Sequence, residues 1–335
     1  MFNNKSILVT GGTGSFGKKF TETILKKYKP KKIVIYSRDE LKQSQMVEQF
    51  SAKFETQSLR FFIGDVRDRT RLTMAMEGID FVVHAAALKQ VPSAEYNPME
   101  CIKTNVIGAE NVIHSAINSK VQQVIALSTD KAADPVNLYG ATKLLSDKIF
   151  VSSNNIVGAK KTKFSVVRYG NVFNSRGSVY PIFKNVIEKN KKYFPLTHKS
   201  MTRFNLSLQE GVNLVIKSFK RMQGGEIFIP KIPSIRILDL ARAMDSKKPI
   251  KIIGIRPGEK MHETLCSVND SRLVYDFRDH YVITPSIKFF DRTVSYEKNK
   301  AGETGKKVKS NFEYVSDKNK FLSLNEIKKI VKEEK

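Results

Sequence analysis

The chain has 335 residues, 41% hydrophobic and 27% charged, with 58 Lys and Arg against 33 Asp and Glu for a net charge of +25. This composition excludes a disordered chain, the length allows about two domains with a full core, and no apolar run reaches the roughly 18–20 residues of a membrane span. Cys101 and Cys266 stand alone and the five histidines are scattered, which excludes a disulfide framework and a zinc cluster; no metal is expected, and a reducing cytoplasm is.

The first expected strand covers 6–9 and starts with no leader pattern before it, which argues against secretion. It runs into Thr10-Gly11-Gly12-Thr13-Gly14-Ser15-Phe16-Gly17 and then a helix. Gly11, Gly14 and Gly17 have the spacing that permits a tight turn, close backbone approach to a pyrophosphate and close helix–strand packing. The helix N-terminus adds free N–H groups and a positive dipole end. A strand before and a helix after is the context such a turn needs to bind a dinucleotide; alone it is merely a tight turn. The second strand, 33–36, ends in Ser37-Arg38-Asp39. A carboxylate at this strand end suits the ribose hydroxyls of NAD, whereas an arginine suits a 2′-phosphate. Arg38, with Ser37 and Lys42, points to NADP, and Asp39, one place late, keeps NAD as the less favoured cofactor. Asp65 follows the third strand, 59–63, placed either to accept from an adenine amino group or to cap the next helix.

The fourth strand covers 81–84, and a helix starting at Asn97-Pro98 is expected to reach about residue 118. The fifth, 124–128, ends in Ser128-Thr129-Asp130-Lys131, and Tyr139 and Lys143 follow at i and i+4 on one helix face. Ligands bind at the carboxyl ends of strands in an open parallel sheet, so this segment faces the cofactor. A lysine so placed, with a positive nicotinamide, favours the phenolate and lets Tyr139 act as a base. A sixth strand covers 164–168. Helices over 181–191 and 208–222 follow a turn at Ser175-Arg176-Gly177, and a strand over 226–229 is expected to return to the main sheet.

The expected fold is α/β, a Rossmann-type doubly wound parallel sheet with a smaller, discontinuous α/β substrate domain. Residues 1–170, with 205–230 returning, would bind the dinucleotide; 171–204 and 231–290 would bind substrate; 291–335 is a Lys-rich segment. The excess lysines (Lys26-Lys27, Lys31-Lys32, Lys160-Lys161, Lys191-Lys192) are spread out and lack the interleaved aromatics of a nucleic-acid groove, so a solvated basic surface is expected rather than nucleic-acid binding.

Thr10 to Gly17, His84-Ala85-Ala86-Ala87, Ser128 to Lys131 and Tyr139 to Lys143 together resemble the extended short-chain dehydrogenase/reductase family. Ser37 to Lys42, Ala87-Leu88-Lys89, Arg168 to Val172, Met201 to Phe204 and Arg256 to Lys260 are similar to its branch of inverting nucleotide-sugar 4,6-dehydratases, across nearly the whole chain. The resemblance implies a UDP-sugar substrate, with UDP-N-acetylglucosamine the implied sugar, and tightly held, recycled NADP. It implies cofactor contacts from the glycine turn (Thr13, Ser15 and Phe16 included), Val66, Ala85, Ala86, Lys89, Tyr139 and Lys143. It further implies that Tyr139 takes the C4 hydroxyl proton, Lys131 the C5 proton, that Asp130 protonates the departing C6 hydroxyl, and that Thr129 steadies the C4 oxygen. Lys131 must then be partly neutral, an effect expected from burial and from nearby Lys89 and Lys143; the bland alternative for Asp130 and Lys131 is a surface ion pair. Lys89 and Asn171 would contact sugar or cofactor, and Arg203, Arg256 and Glu259 the UDP. Their plain alternatives are a turn for Asn171, a solvated face for Arg203 and a helix start for Glu259.

A homo-oligomer paired through helices over 98–118 and 139–152, with no membrane partner, is also implied. The family's retaining, membrane-anchored members place Met where Tyr139 stands. Phe173-Asn174 and Asn205 depart from the pattern beside the expected sugar pocket and leave the exact sugar open. A 4-epimerase or 4-reductase would need only Tyr139, Lys143 and the cofactor, and a non-catalytic cofactor-binding protein would need no turnover at all.

Overall fold

Apolar, β-branched runs long enough to bury both faces dictate the centre of the molecule. In the computed structural model, which describes residues 1–158, 161–175, 177–287 and 294–334, five such runs and one partly exposed edge run, Leu59–Ile63, form parallel strands: β1 (Ser6–Thr10), β2 (Lys32–Ser37), β3 (Leu59–Ile63), β4 (Phe81–His84), β5 (Gln123–Thr129) and β6 (Lys163–Tyr169). Their order is β3-β2-β1-β4-β5-β6. Each lies within a residue of its expected span. Chain direction across the sheet reverses between β1 and β4, which opens a crevice at their carboxyl ends. Lys160, Arg176 and the boundary at 290–291 lie outside the described residues.

Strand Ile227–Pro230 adds in parallel beside β6. Beyond it the sheet continues antiparallel through His280–Ile283, Val274–Asp276 and Lys306–Lys307 to ten strands. This differs from the expectation that all of 231–290 serves the smaller unit. Antiparallel strands need only a short hairpin, so no crossover helix marks their return to the sheet.

Helices cover both faces: α1 (Ser15–Lys27), α2 (Glu40–Ser51), α3 (Arg69–Met76), α4 (Val91–Tyr96), α5 (Pro98–Ile102), α6 (Gly108–Asn118) and α7 (Leu138–Ser152). The single helix expected over 98–118 is broken by a π-helical turn at Lys103–Ile107. A second apolar core joins Phe183, Phe194, Leu196 and Met201 to Ile237, Leu240, Ile327 and Val331. It is built from helices Val179–Glu188, Ile237–Met244 and Leu324–Glu333 with small sheets, and it stands over the carboxyl end of the main sheet. No described helix is long and apolar enough to cross a membrane.

Candidate active site

The cofactor side is set by backbone crowding. Gly11 has φ +64°, and a Cβ there would lie 2.9 Å from Ala86; a Cβ on Gly17 would lie 2.3 Å from the Gly12 carbonyl. Only glycine lets the turn, the loop after β4 and α1 approach so closely. Gly14 is the N-cap of α1 and carries no side-chain cap, leaving the first N–H groups for an anion. Thr13 Oγ1 donates to Ser37 Oγ at 3.1 Å, fixing the end of β2. Arg38 is about half exposed and meets Asp65 Oδ2 at 3.3 Å.

Two carboxylates here have other duties than the sequence suggested. Asp39 caps α2 by accepting from the Lys42 N–H at 2.9 Å and is paired with the Lys42 ammonium. Asp68, not Asp65, caps α3. Asp65 instead accepts from the Arg67 N–H at 2.9 Å and guanidinium at 2.7 Å. Burial pushes its carboxyl up, but the Arg67 bonds and the Arg38 charge outweigh this and hold it below the usual carboxylate range.

The reacting side lies where β5 ends. Residues Asp130–Ala132 form a tight 3-10 turn, and a Cβ on Gly140 would fall 2.2 Å from the Lys131 carbonyl oxygen. Glycine in the first turn of α7 therefore lets the Asp130 turn lie on the helix that carries Tyr139 and Lys143. Tyr139, Lys143 and Asp147 occupy successive turns of α7 and all are buried. Asp147 Oδ2 is fixed by Arg168 Nη2 at 3.0 Å and Ser128 Oγ at 2.7 Å.

Asp130 is 1% exposed, which excludes the surface ion pair. Its Oδ1 accepts from Thr129 Oγ1 at 2.9 Å and from Lys131 Nζ at 3.0 Å. Its Oδ2 is buried and without a partner among the described residues. Lys131 Nζ also lies 3.1 Å from Glu263 Oε1. Burial alone would lower the Lys131 ammonium, as would Arg203, but the two carboxylates raise it well above the ordinary lysine range. The expectation of a depressed Lys131, with Lys89 and Lys143 as causes, is thus corrected: its neighbours are anions. Burial and the Glu263 charge push the Asp130 carboxyl up, against Lys131 and Thr129.

Burial pushes the Tyr139 phenol up to about 12, with the Lys131 charge and the Thr129 hydrogen bond drawing it down. The cation acting on Tyr139 in this state is therefore Lys131 rather than the expected Lys143, whose own ammonium is lowered by burial despite Asp147.

Arg203 is 9% exposed rather than solvated. Its Nη1 donates to the carbonyls of Thr202 at 2.7 Å and Met261 at 3.1 Å, while Nη2 lies 3.4 Å from Glu259 and Nε 3.6 Å from Glu263. Arg256 to Glu259 form the expected turn, closed by Glu259 N–H to the Arg256 carbonyl at 3.1 Å. Asn137, the cap of α7, donates to the Gly258 carbonyl at 2.7 Å, and Lys260 Nζ to the Ala133 carbonyl at 2.6 Å. These bonds strap the loop onto the Asp130 turn.

One cleft of about 880 Å³ unites these parts: every candidate cofactor, catalytic and substrate residue read from the sequence lines it, including Val66, Ala85, Lys89, Asn171 and Arg256. Two contributors escaped the sequence reading. Glu263 directly precedes the short strand Thr264–Cys266 and has no motif of its own. Asn105, in the π-helical turn, clasps Leu88 through its N–H at 2.8 Å and carbonyl at 2.9 Å, and so holds the loop that carries Lys89.

A glycine phosphate turn opposite a Tyr–Lys pair, at the crevice of a parallel sheet, defines the extended short-chain dehydrogenase/reductase class. The chain belongs to the polysaccharide biosynthesis protein family, whose profile matches residues 7–285. It is 59% identical to a UDP-N-acetylglucosamine 4,6-dehydratase (inverting) of Campylobacter jejuni serotype O:2, over 95% of this chain and 94% of that one. It is 44% identical to a UDP-glucose 4-epimerase of Rickettsia conorii, over 99% and 96%. The X-ray structure of Pen from Bacillus thuringiensis superposes with a TM-score of 0.88 at 36% identity, covering 100% and 99%. The dTDP-glucose 4,6-dehydratase DesIV of Streptomyces venezuelae, solved with NAD, shares the fold at a TM-score of 0.67 and 18% identity, covering 76% and 86%.

Proposed function

We propose that this protein is an NADP-dependent UDP-N-acetylglucosamine 4,6-dehydratase that inverts C5. Its product would be UDP-2-acetamido-2,6-dideoxy-β-L-arabino-hex-4-ulose, destined for pseudaminic acid or a related glycan. The observation that carries the reading is the ion pair of buried Asp130 with the partly exposed Lys131, joined at 3.0 Å and lining the same cleft as Tyr139.

The glycine turn, with its open helix N-terminus and the space that a Cβ would fill, fits a dinucleotide pyrophosphate. Arg38 is free enough to take a 2′-phosphate, and the duty of Asp39 as a cap weakens the case for NAD. When bound, the dinucleotide would supply a hydride acceptor for C4 and a hydride donor for C6. Tyr139 removes the C4 hydroxyl proton, aided by Thr129, while Lys143 holds the cofactor ribose. Oxidation at C4 acidifies the C5 proton, since the carbanion formed is an enolate. Asp130 and Lys131 share one proton across their hydrogen bond. Moved to Asp130, that proton leaves a neutral amine for C5 and a carboxylic acid for the C6 hydroxyl. Arg203 and Arg256 would bind the diphosphate, Glu259 the uridine ribose, and Asn171, whose buried Oδ1 has no partner among the described residues, the sugar.

Tyr96, Met99, Ile107 and Leu145, in the stretches 91–107 and 138–152, are exposed, which supports pairing of copies through the helices over 98–118 and 139–152. The cytoplasm is the proposed location, consistent with two buried cysteines kept as free thiols.

The test is incubation with UDP-N-acetylglucosamine and NADP in deuterated water, followed by NMR. A 6-deoxy-4-keto product deuterated at C5 with L-configuration is expected. The epimerase named among the relatives favours a second reading, in which a galacto-configured product forms without loss of water. Lys131→Ala should abolish elimination with cofactor affinity nearly unchanged; loss of cofactor binding would count against its role as base.

A further inference from the structure

Glu263 is 2% exposed and lines the cleft. Its Oε1 touches Lys131 Nζ at 3.1 Å and Arg203 Nε at 3.6 Å, while Oε2 is buried with no partner among the described residues. A carboxylate is costly to bury, and this one leaves half its acceptor capacity unused. We infer that Glu263 is the positioning residue that sets the charge of the Asp130–Lys131 pair, an assignment that rests on the dehydratase reading above.

The proton balance gives this its content. The pair is active when it holds one proton in total, as ammonium with carboxylate or as amine with carboxylic acid. These two forms have the same net charge and interconvert by one transfer between Nζ and Oδ1. During elimination the amine accepts the C5 proton and the acid gives its proton to the C6 hydroxyl, which leaves as water. The ion pair is thereby restored with no proton gained or lost by the protein. Too many protons remove the base; too few remove the acid. A fixed negative charge 3.1 Å from Lys131 favours retention of the shared proton and keeps the pair from losing its acid at neutral pH.

The other groups facing this cluster are Tyr139 from α7, Thr129 from the end of β5, Arg203 from strand Thr202–Leu206, and Lys260 and Glu259 from the Arg256–Lys260 loop. Arg203 therefore joins Glu263 to the end of the cleft where the diphosphate is proposed to bind. Drawing Arg203 toward phosphate would free more of the Glu263 charge for Lys131.

The experiment is the pH dependence of dehydration by Glu263→Gln. Removing a negative charge makes protonation of the pair harder, so both limbs of the bell-shaped profile should move to lower pH, by about 1–2 units. Glu263→Asp keeps the charge and should return the limbs toward their wild-type positions, even at lower kcat. A Glu263→Gln profile that loses height with its limbs unmoved would overturn the inference.

A titration that needs no turnover separates this from the fate of the dehydratase reading. The ¹³Cε resonance of Lys131, assigned by its loss in Lys131→Ala, should deprotonate at lower pH in Glu263→Gln than in the wild-type protein. An unchanged midpoint would refute the role of Glu263 whatever reaction the enzyme catalyses.

Discussion

His84 sits at the carboxyl end of β4, fully buried against Phe150. Thr10 Oγ1 accepts from the N–H groups of Ala85 at 3.1 Å and Ala86 at 3.3 Å, so its own proton goes to His84 Nδ1, 2.8 Å away. The imidazole is thus neutral with hydrogen on Nε2. Burial, with the Lys143 charge, lowers its pKa to about 3. Below about pH 6.5 the unfolded chain takes a proton that the folded chain refuses. The stability due to this group is complete above that pH and drains away toward pH 3, at up to ~1.4 kcal/mol per pH unit. Thermal melts of the wild type and His84→Gln should therefore converge or cross on acidification from pH 8 to 5, the wild type losing ground. Parallel curves would rule out the neutral histidine. At this scale the sequence revealed Tyr139, Lys143, Asp130 and Lys131 because they belong to one turn and one helix face. It did not reveal the charge of Lys131, because Glu263 arrives from a segment more than a hundred residues away, and only folding decides which ions share a pocket.

The approach of α7 to the Asp130 turn depends on a hydrogen atom at residue 140. In Gly140→Ala a methyl group would meet the Lys131 carbonyl at 2.2 Å, and the turn must retreat. Overpacking of this kind costs about 1–3 kcal/mol, and a displacement near 1 Å can lower turnover about 100-fold. A large fall in kcat with cofactor affinity kept is expected, measured by steady-state kinetics beside dinucleotide titration. A fall in affinity alone would contradict the geometry. Helix existence was legible here from apolar periodicity and from Asn and Pro at the start of α5. The π-helical turn was not, because inserting one residue into the helical register leaves the pattern on either side intact. What calls for the insertion is the reach of Asn105 to Leu88 across the cleft wall, a tertiary demand with no local signature.

The molecule as a whole carries a net charge of +25, and its cleft is proposed to take a nucleotide diphosphate. A field of that sign draws anions inward and is screened over about 10 Å at 0.1 M salt. The value of kcat/KM for the UDP-sugar should drop as salt rises from about 20 to 200 mM, through KM with kcat little changed. Salt-independent KM would show that only the local arginines matter. The six parallel strands could be read at once: continuous apolar runs announce burial on two faces for all but β3, which lies at the sheet edge and is only partly buried. The antiparallel extension could not, since its strands are two to four residues long and His280–Ile283 looks like any loop-flanked fragment.

That extension ends on Lys306–Lys307, a two-residue strand with both side chains exposed. Backbone groups along such a border are open templates on which another chain could zip itself. Brevity and paired ammonium groups make that border a poor template and repel its counterpart on a neighbouring molecule. Replacing both lysines with valine would turn a guarded margin into an adhesive one, and turbidity on storage, rather than lost activity, is where the change should surface first.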